Sequence, residues 1–175
     1  VTEANRRAVR ILAYNEMAIN EESVMQMKAA DQKVQNVMQN LSPSVVMEMI
    51  REGVNPLEMN VDELNRKAEE IKHRLDAGDE DKFSKYLWKL EHRQEITEQE
   101  RDSYIGIYRM LNQIDKTDGA VIGALVQQGA ELSMKNLLTA VRTNHNSGIN
   151  VSVDDNFGEI ESLQTQGMSI TQQIE

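Results

Sequence analysis

Cysteine is absent from the 175 residues, proline occurs twice, and aromatic residues make up only 4%. Without thiols there is neither a disulfide framework nor a thiolate metal site, and the chain suits a reducing cytoplasm, the compartment preferred. Two prolines and 9 glycines interrupt the chain so rarely that long stretches are open to helix. With so few rings, a core must be assembled from Leu, Ile, Val, Met and Ala. Long apolar runs are missing too. The strongest, Gly119 to Val126, spans eight residues and stops at Gln127, well short of the roughly 20 that a membrane-crossing helix needs. Arg6 and Arg7 are followed by an amphipathic pattern rather than an apolar block, so no secretory leader is read. Membrane insertion is not expected.

Positive charge is also in deficit: 19 Lys and Arg face 29 Asp and Glu, giving a net charge of -10 and a pI near 4.9. That average field repels a phosphate backbone, so nucleic acid is not the expected partner. Arg6, Arg7 and Arg10 form a local exception on one helix face and are read as solvated surface. Hydrophobic residues at 39% and charged residues at 27% suit one globular domain. The chain begins with Val1, not Met, and is read as a piece of a larger bacterial protein.

What the sequence does hold is a regular series of helix starts. Thr2, Asn20, Ser42 before Pro43, Asn60 with Glu63, Thr97 with Glu100, Ser133 and Thr171 each occupy the place of a capping side chain. Apolar residues follow at steps of three and four: Val24, Met27, Val34, Met38 and Leu41; Val61, Leu64, Ala68, Ile71 and Leu75; Phe83, Leu87 and Leu90. Tyr104, Ile107, Tyr108, Leu111 and Ile114 continue the series, then Val121, Ile122, Leu125 and Val126, then Met134, Leu137, Leu138 and Val141. Each set is one buried stripe on a polar helix. Asp31 holds a seam position between Met27 and Val34. It is expected either to pair with Arg or Lys or, preferably, to reach solvent while Ala30 packs beside it.

The fold class that follows is all-α, a compact array or bundle of about seven to eight short amphipathic helices. The caps from Asn20 to Asn60, Thr97, Ser133 and Thr171 are 40, 37, 36 and 38 residues apart, which also fits the helix-pair repeats of an α-solenoid. Three segments share an apolar-any-apolar-cap order: Met17 to Asn20, Ala130 to Ser133 and Met168 to Thr171. The apolar residue next to the cap is read as a hydrophobic staple. Residues 1–146 are taken as the helical domain. Residues 147–175 are taken as an extended, polar C-terminal segment with an isolated strand at Ile149 to Val153 and the start of a truncated helix.

Tests for chemistry fail one by one. Counting back five residues from Gly158, an EF-hand glycine would need an oxygen ligand where Val153 stands. Glu70 and His73 have di-iron spacing, but His92 and His145 are preceded by Lys89 and Arg142 where a second copy needs glutamate. Ser147 lies in Asn-Ser-Gly, not in a nucleophile elbow, and Gly119, Gly123 and Gly129 lack the Lys-Ser or Lys-Thr of a phosphate loop. Gly119 and Gly123, with Ala120 and Ala124, are read as a bulk-free face for a close helix neighbour. Met25, Met27, Met47, Met49 and Met59 are read as core filler ahead of an adaptable groove. No catalytic, cofactor-binding or metal-ligating residue is assigned, and no cofactor is expected.

The stretch Gly119 to Leu132, continuing through Leu137, Leu138, Arg142 and Val153-Asp154-Asp155, resembles long, uncharacterised helical proteins of motile Firmicutes. The Tyr104-to-Tyr108 region and the opening Thr-Glu-Ala-Asn are similar as well. That resemblance implies no catalytic residues and a flagellum-associated setting. The expected function is a non-enzymatic protein-interaction or assembly (scaffold) domain, binding a protein partner or itself through an exposed apolar patch. The alternative is an enzyme with a scattered site, for which a groove lined by Glu70, His73, His92 or Tyr104 would be the sign.

Overall fold

A computed structural model describes residues 2–75 and 82–145. They form eight α-helices: α1 (Glu3–Tyr14), α2 (Glu21–Asn40), α3 (Pro43–Arg51), α4 (Val61–Leu75), α5 (Phe83–His92), α6 (Glu98–Asp115), α7 (Ala120–Gln128) and α8 (Met134–His145). A 3-10 turn, Pro56–Glu58, precedes α4. No strand occurs among the described residues, only an isolated antiparallel bridge between Asn60 and Ser133. The division at 146, the strand near Ile149, the turn at Asp154 and the cap at Thr171 lie outside the described residues.

The helix starts follow from local chemistry. Asn20 accepts from the Ser23 N–H while the Ser23 hydroxyl accepts from the Asn20 N–H, both at 2.9 Å. Thr97 and Glu100 form the same reciprocal box at 2.9 and 3.1 Å. Thr2 and Ser133 each accept from the backbone N–H three residues on. Each box satisfies N–H groups that a helix start leaves orphaned. Ser42 departs from expectation. Pro43 does occupy the first turn, but the Ser42 side chain makes no capping bond and its buried Oγ has no hydrogen-bond partner among the described residues.

Helix ends repeat one device. Glu16, Gly53, Gln94 and Gly129 all have positive φ. In each case the next residue's N–H reaches back five residues, from Met17 to Leu12, Val54 to Met49, Glu95 to Leu90 and Ala130 to Leu125. This left-handed cap closes the last turn and sends an apolar residue back onto the core at Met17, Val54 and Ala130. It explains the apolar-any-apolar-cap order differently from a staple. Met17 and Ala130, the first apolar residues, pack against the core; beside the caps the outcome divides, since Leu132 next to Ser133 also packs there whereas Ile19 next to Asn20 is 54% exposed.

The stripes bury as the periodicity requires, apart from Leu75, which is exposed. Of the five methionines read as core filler, Met27, Met47 and Met49 are fully buried, Met59 packs against the core and Met25 projects into solvent. The helices close a ring: α1 packs on α2, α2 on α4, α4 on α3, α3 on α6, α6 on α8, α8 on α7, and α7 on α1. A solenoid repeat touches only its neighbours. Contact between α1 and α7 therefore makes this a closed bundle, and the 36-to-40-residue spacing is the length of a helix pair within it. α5 sits outside the ring, docked on α6 through Phe83, Tyr86, Tyr104 and Tyr108. Phe83 lies 5.3 Å from Tyr104 and 4.3 Å from Tyr108, ring to ring, and the Tyr104 hydroxyl donates to the Phe83 carbonyl.

Ring closure depends on two glycines. A Cβ at Gly119 would lie 2.5 Å from Ile11 Cδ1, and one at Gly123 would collide with the Asn15 amide and Ile11. The bulk-free face predicted from sequence thus receives α1 inside the same chain. Asn15 uses the space by donating from Nδ2 to the Ile11 and Ala120 carbonyls, at 3.0 Å each, tying the end of α1 to the start of α7.

Candidate interaction surface

Two places concentrate charge beside an aromatic ring, and their geometry separates them. The first is the turn between α6 and α7. Asp118, left-handed at φ 51°, points its carboxylate at α1. It accepts from Arg7 Nη1 and Arg10 Nε at 2.9 Å and from the Tyr14 hydroxyl at 2.8 Å. Arg7 Nε also donates to Asp31 at 2.7 Å, and Gln35 Nε2 donates to the same carboxylate at 3.3 Å. The Arg10 hydrogen bond, followed by that of Tyr14, holds the Asp118 carboxyl below its usual range, against partial burial. Hydrogen bonds to Asp118 in turn raise the Tyr14 phenol and the Arg10 guanidinium above their ordinary values.

Two expectations are corrected here. Arg7 and Arg10 are not a solvated surface, because a carboxylate more than 100 residues away consumes them. Asp31 does not reach solvent: it is 3% exposed and pairs with Arg7, while Ala30 packs beside it at 8%. Arg6 alone is exposed, with Glu3 at the edge of ion-pair distance. Perturbed titration often marks catalytic sites, but structural networks perturb it too. This network is closed by its own members and stands at the α1–α7 junction, where it fixes the helices.

The second place is the outer face of α5. Lys82, Lys85 and His92 are exposed there, Lys89 is half-buried, and Trp88 is 58% exposed. Leu87 and Leu90 are turned inward and buried. The Trp88 and His92 rings stack 4.9 Å apart, nearly parallel at 7°. The acid of the segment, Glu91, is engaged by Arg101 of α6 at 3.0 Å. Phe83, Tyr86, Trp88, Tyr104 and Tyr108 all lie on α5 and α6, leaving only Tyr14 and Phe157 elsewhere. Four of those five dock α5; Trp88 faces away.

Residues named for an enzyme do not converge. Tyr104 is buried at 1% and donates to a backbone carbonyl. Glu70 and His73 are exposed on α4, with Glu70 within 4.0 Å of Lys67 and Arg74. His92 belongs to the Trp88 stack. Among the described residues no three His, Cys, Asp or Glu side chains are grouped to hold a metal, and no helix is long and apolar enough to cross a membrane. An open depression between the 3-10 turn and α8 is lined by Leu57, Glu58, Met59, Glu131, Ser133 and Lys135, none of them among the residues named for an enzyme. The Ser133 hydroxyl there is occupied in capping α8. The α5 face was not anticipated from sequence, although a single Trp spaced among lysines in an acidic chain was a signal for it.

A family model matches residues 1–138, so the chain belongs to a family of unknown function (DUF6240). The match takes in α1 to α7 and the first residues of α8. No curated protein and no solved structure matches the chain.

Proposed function

We propose that this domain works by holding another polypeptide, as a non-enzymatic interaction or assembly module. The observation that carries the reading is the outward face of α5, where Trp88 is 58% exposed on a helix anchored from behind by four aromatic rings. Large exposed aromatics on a rigid support are the groups from which binding hot spots are made. The Trp88–His92 stack holds the indole in one orientation, which lowers the entropy lost on binding. A setting in flagellar assembly is part of the proposal and draws only on the resemblance to helical proteins of motile Firmicutes.

The test is site-specific photo-crosslinking in extract of cells that make the protein, with a photoreactive side chain at position 88 or, separately, at position 73 on α4. A discrete polypeptide adduct from position 88 and none from position 73 is the expected result. Absence of any polypeptide adduct at position 88 overturns the reading.

A further inference from the structure

We propose that the Asp118–Gly119 bond is a gated modification site. The closed bundle preserves it, and opening of the α1–α7 junction lets it isomerise to an isoaspartyl linkage that prevents reclosure. Asp–Gly occurs once in the 175 residues, and Asn–Gly does not occur. A glycine nitrogen has no neighbouring Cβ to shield it, so an aspartate before glycine is the place where a chain most readily cyclises. Here that pair stands where the ring of helices closes.

The step needs water and no other reactant. The Gly119 backbone nitrogen attacks Asp118 Cγ. A Cγ–N bond forms, a Cγ–O bond breaks, and the carboxyl hydroxyl takes the amide proton and leaves as water. A second water then opens the cyclic imide. Attack at Cγ restores aspartate. Attack at the former α-carbonyl leaves the backbone running through Cβ and Cγ, with the carboxylate directly on Cα.

The folded junction opposes each requirement. Cγ would have to turn back onto its own chain, yet its oxygens accept from Arg7 Nη1 and Arg10 Nε at 2.9 Å, Tyr14 at 2.8 Å and Arg10 Nη2 at 3.3 Å. Those donors also favour the carboxylate, whereas the oxygen that leaves as water belongs to the protonated acid. The backbone is held on both sides: Asp118 N–H donates to the Asp115 carbonyl and Ala120 N–H to that of Thr117, while the Gly119 carbonyl accepts from Ile122. Gly119 cannot shift toward α1, because even a Cβ there would lie 2.5 Å from Ile11 Cδ1.

All four hydrogen bonds to the carboxylate come from α1, so departure of that helix frees Cγ in one event. The product then cannot fit the old junction. Its backbone is longer by one atom and its carboxylate is drawn in by one carbon, away from Arg10 and Tyr14. Opening is thereby recorded in the covalent chain.

The experiment holds the full 175-residue chain at neutral pH, folded or in urea, and follows isoaspartate at position 118 by electron-transfer mass spectrometry. A synthetic peptide copying the sequence around Asp118–Gly119, with and without urea, corrects for the effect of urea on the chemistry itself. The folded chain should react roughly tenfold or more slowly than the unfolded one, since only its opened fraction reacts. Arg10→Gln removes two of the four hydrogen bonds and should react several-fold faster than the parent. Arg6→Gln, exposed on the same helix, should keep the parent's rate. Circular dichroism checks that both variants are folded; if Arg10→Gln is not, the folded and unfolded parent decide alone. Equal rates in those two states overturn the proposal, as does an Arg10→Gln rate no higher than that of Arg6→Gln. Isoaspartyl chains separated by ion exchange should melt below the parent, and melting at the parent's temperature overturns the block on reclosure.

Discussion

Arg7 and Arg10 on α1 and Lys85 and Lys89 on α5 look alike in sequence, each pair sitting near an aromatic ring on an amphipathic helix. The molecule places them differently. At the α1–α7 junction the cations and the Tyr14 hydroxyl close on Asp118, which the left-handed turn before α7 delivers to them. On α5 Lys85 and Trp88 lie on the solvent side, and the acid of that helix is drawn away to α6. A basic cluster becomes mortar when a distant part of the chain delivers an acid into the fold, as Asp118 does for α1. The junction should be brittle and the α5 face tolerant, and substitutions can break or sharpen that contrast.

The largest effect is expected at Gly119. Alanine there meets Ile11 and must hold φ at +84°, so overpacking adds to left-handed strain. Together these cost about 4 kcal/mol by denaturant unfolding. Gly129 separates the two contributions, because its φ is +67° with nothing within 4 Å of a new Cβ. Gly129→Ala should cost about 1 kcal/mol, the strain alone. Similar losses at both glycines would show that α1 does not approach α7 closely.

Next comes Asp31→Leu, expected to destabilise by about 3 kcal/mol, the lower end for breaking a buried pair because Arg7 keeps Asp118 as a second partner. A double-mutant cycle with Arg7→Leu should show coupling above about 1 kcal/mol. A neutral Asp31→Leu would place the carboxylate in water.

Asp118→Asn should cost less, about 1.5 kcal/mol, since its side chain is 41% exposed and solvent screens the pairs. Asn accepts the left-handed backbone, so the loss isolates the charge. The pH dependence gives a sharper readout. The folded carboxyl titrates below its unfolded value near 3.9, so its stabilisation is complete above about pH 4 and is lost as pH falls through the folded value. Tyr14 is shifted upward, so its stabilisation holds below about pH 10 and is lost as pH rises beyond its folded value. Subtracting the variant's acid-side melting curve from the parent's should leave a limb confined below about pH 4. A limb of equal size in both proteins would remove Asp118 from the account.

Much of the fold was legible because helix starts and stripes are local. Thr97 and Glu100 announce a capping box within four residues, and Met134, Leu137, Leu138 and Val141 announce their burial by spacing. Left-handed ends at Glu16 and Gln94 were not legible, since neither is glycine and the backbone strain there is carried by the whole fold. Asp118 was invisible for a different reason: nothing near residue 118 points to residues 7, 10 and 14. The expectation that Arg7 and Arg10 were solvated failed there. On α5 the signal was present in the spacing of Lys85, Trp88, Lys89 and His92. A charge of -10 counted over the whole chain hid a helix of the other sign.

The smallest stability effect is predicted for Trp88→Ala, and it separates the two regions most cleanly. In a core, a tryptophan truncated to alanine costs about 3–5 kcal/mol. Trp88 is 58% exposed, however, and its ring stacks on His92, itself in solvent. Truncation therefore removes little packing. Alanine also has the higher helix propensity, by about 0.5 kcal/mol, which offsets part of the loss. The net change should be about 0.5 kcal/mol or less, while Leu87→Ala, one residue earlier and facing inward, should cost about 3 kcal/mol. Equilibrium unfolding followed by circular dichroism measures both without using the indole as probe. A Trp88→Ala loss approaching that of Leu87→Ala would mean that the ring is structural mortar like Arg10, and α5 would lose its standing as the docking face. A loss near zero leaves a large aromatic that folding does not need.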